Sequence, residues 1–261
     1  MRLFAIADLH LPSTRQKDME CFGWLGHPNT LAQRWDAAVT PEDGVVVAGD
    51  ISWALKPAEA AQDFAWLHAR PGKKILLRGN HDYWWPHSTR KLQALFEAFP
   101  SIVGCVHNSA VCCGPYVISG SRLWDFAEPP CAMHPHTHTL HPQGETMPSI
   151  PAMPDLAQMI QRETQRLKTS LDEAQKYIQA NPRLIHVVAS HFPPLYADGA
   201  PSPFSTLIES HSPQHCVYGH LHGPSLSSGF VGMHGGVHYV LASADAADFC
   251  PLLLESPSPA N

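Results

Sequence analysis

The sequence predicts an α/β domain, and three observations carry that expectation. A chain of 261 residues with 44% hydrophobic content is long enough to enclose one large core and short for two. Apolar runs rich in β-branched residues recur at strand length, each bounded by polar residues or glycine. Helix-like stretches separate the first three of these runs, and alternation of strand and helix is the pattern of α/β proteins.

Taken in order, the first expected strand is Leu3 to Ala7, followed by a helix over Thr30 to Val39. A second strand at Val45 to Ala48 leads to a helix over Pro57 to Ala69, with Pro57 suited to a first helical turn. A third strand follows at Ile75 to Leu77. The next runs, Ile102 to His107, Ala110 to Cys113 and Tyr116 to Ser119, are separated by two-residue gaps and read as hairpins. Residues 128 to 154 are rich in proline and carry His134, His136, His138 and His141, a composition of a long loop and not of a packed element. Irregular spacing gives those histidines no fixed ligand geometry, so a solvated loop is the expectation there. From about Pro154 to Ala180, Leu156, Met159, Ile160, Leu167, Leu171, Ala174 and Ile178 repeat at helical spacing. Strands are expected again at Ile185 to Ala189 and Val237 to Leu241. Residues 1 to 255 are read as one domain, and 256 to 261 as a disordered tail.

Composition narrows the function. The formal net charge is −6, and only 15% of residues are charged, while there are 18 histidines. Such a surface does not neutralise nucleic-acid phosphates unaided, so nucleic acid is a disfavoured partner. The seven cysteines are scattered and include the adjacent pair Cys112 and Cys113, which suits a reducing cytoplasm better than a disulfide framework. Asp8 and His10 interrupt the N-terminal apolar run before a signal-peptide core forms, and no stretch approaches the roughly 18 apolar residues of a membrane span. A soluble protein of unspecified oligomeric state is expected.

The chemistry gathers at strand ends: Asp8 and His10 after the first strand, Gly49-Asp50 after the second, Gly79-Asn80-His81-Asp82 after the third, and Ser190-His191 after Val187-Val188-Ala189. Ligands bind at such ends in α/β sheets. In extended backbone, residues two apart project alike, so Asp8 with His10, and His220 with His222, form two candidate chelating pairs. Each fragment alone is a weak signal, because short His and Asp motifs arise by chance. Their ordered combination is a strong one.

With these motifs the sequence resembles the calcineurin-like metallophosphoesterase superfamily, with five blocks spanning Asp8 to His222. The run Gly79-Asn80-His81-Asp82-Tyr83-Trp84-Trp85, with Gly49-Asp50-Ile51-Ser52-Trp53, is most similar to a bacterial branch of predicted phosphohydrolases. The resemblance implies a four-layer α/β/β/α sandwich with mixed sheets. It implies two divalent metal ions, one held by Asp8, His10 and His222, the other by Asn80, His191 and His220, with Asp50 bridging. The oxygen and nitrogen donor set suits Mn²⁺, which we favour, or Fe or Zn²⁺.

The implied reaction is hydrolysis of a phosphomonoester or phosphodiester by a metal-bridging hydroxide, on a small metabolite or nucleotide, with a metal-dependent nuclease and a non-catalytic scaffold as alternatives. His81 would approach the leaving group with Asp82 orienting it, although a turn cap is the competing reading of Asp82. Asn80 would also touch substrate. Arg78 reads equally as a phosphate ligand or as a strand-end partner of a nearby acid. Trp53, Trp84 and Trp85 are read as core before site wall, and His27 as a surface histidine. After Asp50 the chain lacks the Asp-Arg-Gly of the protein Ser/Thr phosphatases, which argues against phosphoprotein substrates.

Overall fold

The protein is described by a computed structural model covering residues 1–12, 19–86, 88–125 and 156–254. The histidines 134 to 141 and the tail 256 to 261 lie outside the described residues. Eleven strands form two mixed sheets among them. The first has β1 (Leu3–Ile6), β2 (Gly44–Ala48), β3 (Lys73–Leu77) and β4 (Ile102–Val106) in parallel, with β11 (Leu252–Leu254) antiparallel on β1. The second runs β5 (Val111–Cys113), β6 (Tyr116–Ser121), β7 (Ile185–Ser190), β8 (His215–Tyr218), β10 (Val237–Leu241) and β9 (Gly232–His234), parallel except at its two edge strands.

Side-chain alternation along β1 explains why two sheets stack. Leu3 and Ala5 point one way and join Val46, Ile75, Val187, Ala189 and Val217 in a core that draws on both sheets. Phe4 and Ile6 point the other way, into a core with Leu31 and Trp35 of α1 (Asn29–Ala38), Phe64 and Leu67 of α2 (Pro57–Ala69) and Phe96 of α3 (Thr89–Phe96). On the far face of the second sheet, Val188, Cys216 and Tyr239 pack on Leu167 and Leu171 of α4 (Leu156–Ala180) and Phe204 and Ile208 of α5 (Pro203–Glu209). The layers are therefore α/β/β/α, as expected. No helix of the described residues is long and apolar enough to cross a membrane.

The middle of the chain departs from expectation. Of the three strands expected as hairpins, only β5 and β6 pair with each other; β4 pairs in parallel with β3 in the other sheet. The short gap between β4 and β5 carries the chain from one sheet to the other, turning through Asn108 in the left-handed region at φ 58°. A two-residue gap reports closeness in sequence and says nothing of which sheet takes each strand. Cys112 and Cys113 fall on β5, an edge strand, with the first exposed and the second buried.

Candidate metal centre

All the parallel strands that carry candidate ligands deliver them to one edge of the stacked sheets. Asp8 and His10 follow β1, Asp50 follows β2, Asn80 and His81 follow β3, His191 follows β7, and His220 and His222 follow β8. The loops are tied together by backbone bonds: Asp8 N to Gly49 O at 2.8 Å, His10 N to Asp50 O at 2.9 Å, and Gly219 N to His191 O at 3.1 Å. Two glycines make the approach possible. A Cβ on Gly79 would strike the Asp50 carboxylate, and one on Gly219 would strike the Asp8 carboxylate and Ala7.

The structure brings the seven expected metal ligands together. Ligand atoms of Asp8, His10 and His222 lie within 4.8 Å of one another, as do those of Asp8, Asp50 and His191. Asn80 Oδ1 sits 2.6 Å from His191 Nε2 and 2.9 Å from His220 Nδ1, so the expected second trio meets at one amide oxygen. Asp50 stands between the groups, with Oδ1 3.5 Å from His191 Nε2 and Oδ2 3.9 Å from His10 Nε2. Asp8 reaches both groups too, since its Oδ1 lies 3.4 Å from His222 Nε2 and 3.9 Å from His191 Nδ1.

The candidate chelating pairs do not form by the strand alternation expected from their spacing. Asp8, His10, Asp50 and His220 all have positive φ, at 59°, 45°, 53° and 73°. Asp8 and His10 converge through a left-handed turn and not through strand alternation, a backbone state uncommon outside glycine and concentrated at functional sites.

Burial sets the charges. His10 is held far below the usual imidazole range by burial and by His222, His81, His191 and His27 around it, leaving it neutral as a ligand requires. Burial pushes His222 down, but Asp8 and Asp245 outweigh it and raise the group to about 10. Burial likewise pushes Asp8 up, while His222, His191 and the His220 N–H bring it below the usual carboxylate value. Asp8 Oδ1 and His10 Nδ1 are buried with no hydrogen-bond partner among the described residues. Two orphaned polar atoms in an oxygen and nitrogen donor set fit a divalent cation.

The catalytic candidates divide. His81 lies at the rim, its Nε2 3.9 Å from Asp50 Oδ2 and its N–H donating to Asp50 Oδ1 at 2.8 Å. Asp82 is buried and both oxygens are taken: Gly79, Ile51 and Ser52 N–H groups and the Trp84 indole N–H donate to it at 2.8 to 3.2 Å. It orders the loop that carries His81 without bonding the imidazole, close to the turn-cap reading. Burial and Asp50 raise it to about 6 against those bonds. Arg78 follows β3, partly buried, and lines a neighbouring hollow, with no bond to Asp82.

Several contributors had weak sequence signals. Trp84 and Trp85 are core, whereas Trp53 stacks on His10 at 4.7 Å between ring centroids and lies 4.6 Å from His81. Trp24 packs 5.5 Å from His222, and Phe192 lies 4.2 Å from His220. His27 is not a free surface group: its Nε2 bonds the Leu9 carbonyl at 2.7 Å and fixes the turn between Asp8 and His10. Asp245, beyond β10, receives His222 Nδ1–H at 2.8 Å and Gly223 N–H at 2.9 Å, aiming His222 Nε2 at Asp8. Its one sequence signal is an acid following yet another strand end.

The family described as calcineurin-like phosphoesterase matches residues 1–224. Gene 66 protein of Mycobacterium phage D29 is 37% identical over 76 residues, 29% of this chain and 38% of the phage protein. Gene 66 protein of Mycobacterium phage L5 is 41% identical over 56 residues, 22% of this chain and 27% of that protein. The chain thus spans well under half the length of the curated relatives it matches. Phosphopantetheinyl hydrolase from Mycobacterium tuberculosis superposes with a TM-score of 0.54 at 17% identity, over 100% of this chain and 98% of that one, a likeness of fold.

Proposed function

From the premise that the chain belongs to the calcineurin-like phosphoesterase family, we propose that it is a metal-dependent phosphoesterase acting on small phosphorylated molecules in the cytoplasm. Residues 1 to 255 act as one domain in this reading. The observation that supports it best is the gathering of buried oxygen and nitrogen donors in two adjoining groups, Asp8 with His10 and His222, and Asp8 with Asp50 and His191, the latter joined to Asn80 and His220. Asp8, His10 and His222 would hold one divalent ion and Asn80, His191 and His220 another, with Asp50 between them; Mn²⁺ is favoured. When bound, such a pair neutralises an anionic ester and lowers the pKa of coordinated water.

The chain's own residues do the rest. His81, anchored through its N–H to Asp50, presents an imidazole at the rim, where it protonates the departing oxygen. Asp82 keeps the loop of His81 in place through its four N–H donors. Trp53, Trp24 and Phe192 cover the imidazole faces and exclude water from the donor side.

The test is turnover of p-nitrophenyl phosphate, its bis ester, a nucleotide panel, 4′-phosphopantetheine and single-stranded DNA by purified protein with and without Mn²⁺. Metal-dependent hydrolysis of a small ester is expected, and preferential cleavage of DNA would move the reading to a nuclease. Absence of metal-dependent hydrolysis on every substrate overturns it.

A further inference from the structure

Beside the candidate metal ligands, at the same edge of the sheets, lies a small, partly open hollow of about 20 Å³. Arg78 follows β3 on one wall, Ser121 at the end of β6 and Arg122 just after it form another, and Glu163 and Arg166 of α4 close it, with His107 beyond β4. Among the described residues, three guanidiniums line this space with one carboxylate. Glu163 is fully buried and already engaged, its Oε1 accepting from Arg166 at 2.7 Å and its Oε2 from the Ser121 hydroxyl at 3.1 Å. Arg78 Nε is buried with no hydrogen-bond partner among the described residues. Arg122 lies over the Trp124 ring at 4.8 Å, a stacking that occupies the guanidinium's face and not its donor edge.

Even with Asp82 acting on Arg78 from nearby, positive charge is in excess and partly out of water, which is unfavourable until an anion offsets it. Guanidinium forks match phosphate oxygens in particular. The position adds a distance. β3 adjoins β2, which leads into Asp50, and β6 adjoins β7, which leads into His191. Strands lie about 4.8 Å apart, so the hollow is one to two strands, roughly 5–10 Å, along the edge from the metal ligands. The link is covalent on one side, where Arg78 is two residues from Asn80, and hydrogen-bonded on the other, where the Arg122 carbonyl receives the His191 N–H at 3.2 Å.

We propose that this hollow is a second anion subsite, which takes a non-reacting phosphate group of the substrate while the ester to be cleaved lies at the metal ligands. The preferred substrates are then small molecules with two phosphate groups separated by a sugar or linker of similar length. The inference rests on the phosphoesterase reading for its first phosphate and on the arginines for its second.

The experiment compares kcat/KM for adenosine 3′,5′-bisphosphate with that for the 3′- and 5′-monophosphates, in the wild type and in Arg122→Gln and Arg166→Gln. Arg166 is partly exposed, so its replacement provides a variant that folds if Arg122→Gln does not. The bisphosphate is expected to be preferred by about tenfold or more, and each variant to lose most of that preference, as befits loss of a charge-assisted contact. In parallel, calorimetry of inorganic phosphate with the chelator-treated full chain reads the subsite without catalysis; binding weakened about tenfold by Arg122→Gln supports it even if no ester is turned over. Equal kcat/KM for all three nucleotides, with no arginine-dependent phosphate binding, overturns the subsite and leaves the phosphoesterase reading standing.

Discussion

Replacing Asp245 by Asn tests whether the centre depends on a residue that holds no metal itself. Asp245 receives His222 Nδ1–H and the Gly223 N–H, one on each oxygen, at 2.8 and 2.9 Å. An amide of the same shape accepts one of these bonds and turns an NH₂ toward the other donor, so one bond becomes a repulsion and the charge is lost from both. Removal of such an orienting partner typically weakens a metal site by about 10–100-fold, or roughly 1.4–2.7 kcal/mol. The loss should fall on the ion shared by Asp8, His10 and His222, because the contacts of Asn80 with His191 and His220 do not involve Asp245. Competition with a chromophoric chelator, read with elemental analysis after dialysis, separates two sites of unequal affinity. Asp248→Asn is the charge control, since that carboxylate is exposed and pairs with Arg34. Two tightly bound ions in Asp245→Asn, with wild-type affinities, would refute the reasoning.

His222→Ala should weaken the same ion while sparing the other, whereas His81→Ala should leave metal content unchanged and slow turnover by about 10²–10⁴-fold; elemental analysis beside kcat separates the two. Asp50→Ala should disturb both ions, and Asp50→Asn, which keeps an acceptor for the His81 N–H, should lose metal with a smaller fall in Tm. Gly79→Ala drives a methyl into the Asp50 carboxylate and should cost about 1–3 kcal/mol in urea unfolding along with bound metal. His186, buried and bonded to the Ser119 hydroxyl, is lowered to about 4 by burial first and by His211 second. Its folded value lies below the unfolded one near 6.5, so its contribution is intact above pH 6.5 and lost as pH falls toward 4, by about 3 kcal/mol in all. Urea midpoints measured from pH 7 to pH 4.5 should fall less steeply in His186→Gln than in the wild type.

The parts of this molecule legible in its sequence are those decided by local pattern. Apolar runs located β1, β2, β3, β7 and β10, and Pro57 marked the first turn of α2. Helical periodicity found α4, and the layers followed from the resemblance carried by the motifs. Elements that were short or polar were missed: β8 is four residues beginning with His215, and β9 and β11 have three residues each. Their strand state comes from pairing with distant segments, which no window of sequence contains. The assignment of β4 to a hairpin failed for the same reason. At the site, residue type pointed to the seven side chains that the fold gathers, because they stand at strand ends in a recognisable order. The turn that joins Asp8 to His10 was not announced, because nothing in Asp-Leu-His reports a positive φ.

That left-handed turn explains why the candidate ligands need so much support from groups outside the proposed ligand set. Residues in this backbone region cost of order 1–3 kcal/mol each and persist only where their surroundings over-determine them. Here the determination is mutual. Asp8 Oδ2 accepts the His220 N–H at 2.9 Å and Asp50 Oδ1 the His81 N–H at 2.8 Å, so each carboxylate expected to hold metal also clasps the loop of another site residue. His27 holds the Leu9 carbonyl within the Asp8–His10 turn, and Asp82 gathers the Gly79, Ile51 and Ser52 N–H groups across two loops. The two sheets bring five strand ends to one edge; these side-chain clasps then fix the loops to the precision a ligand set requires. A change at Asp8 or Asp50 therefore alters ligand charge and loop geometry together, whereas a change at Asp82 reaches the ligands through loop geometry alone.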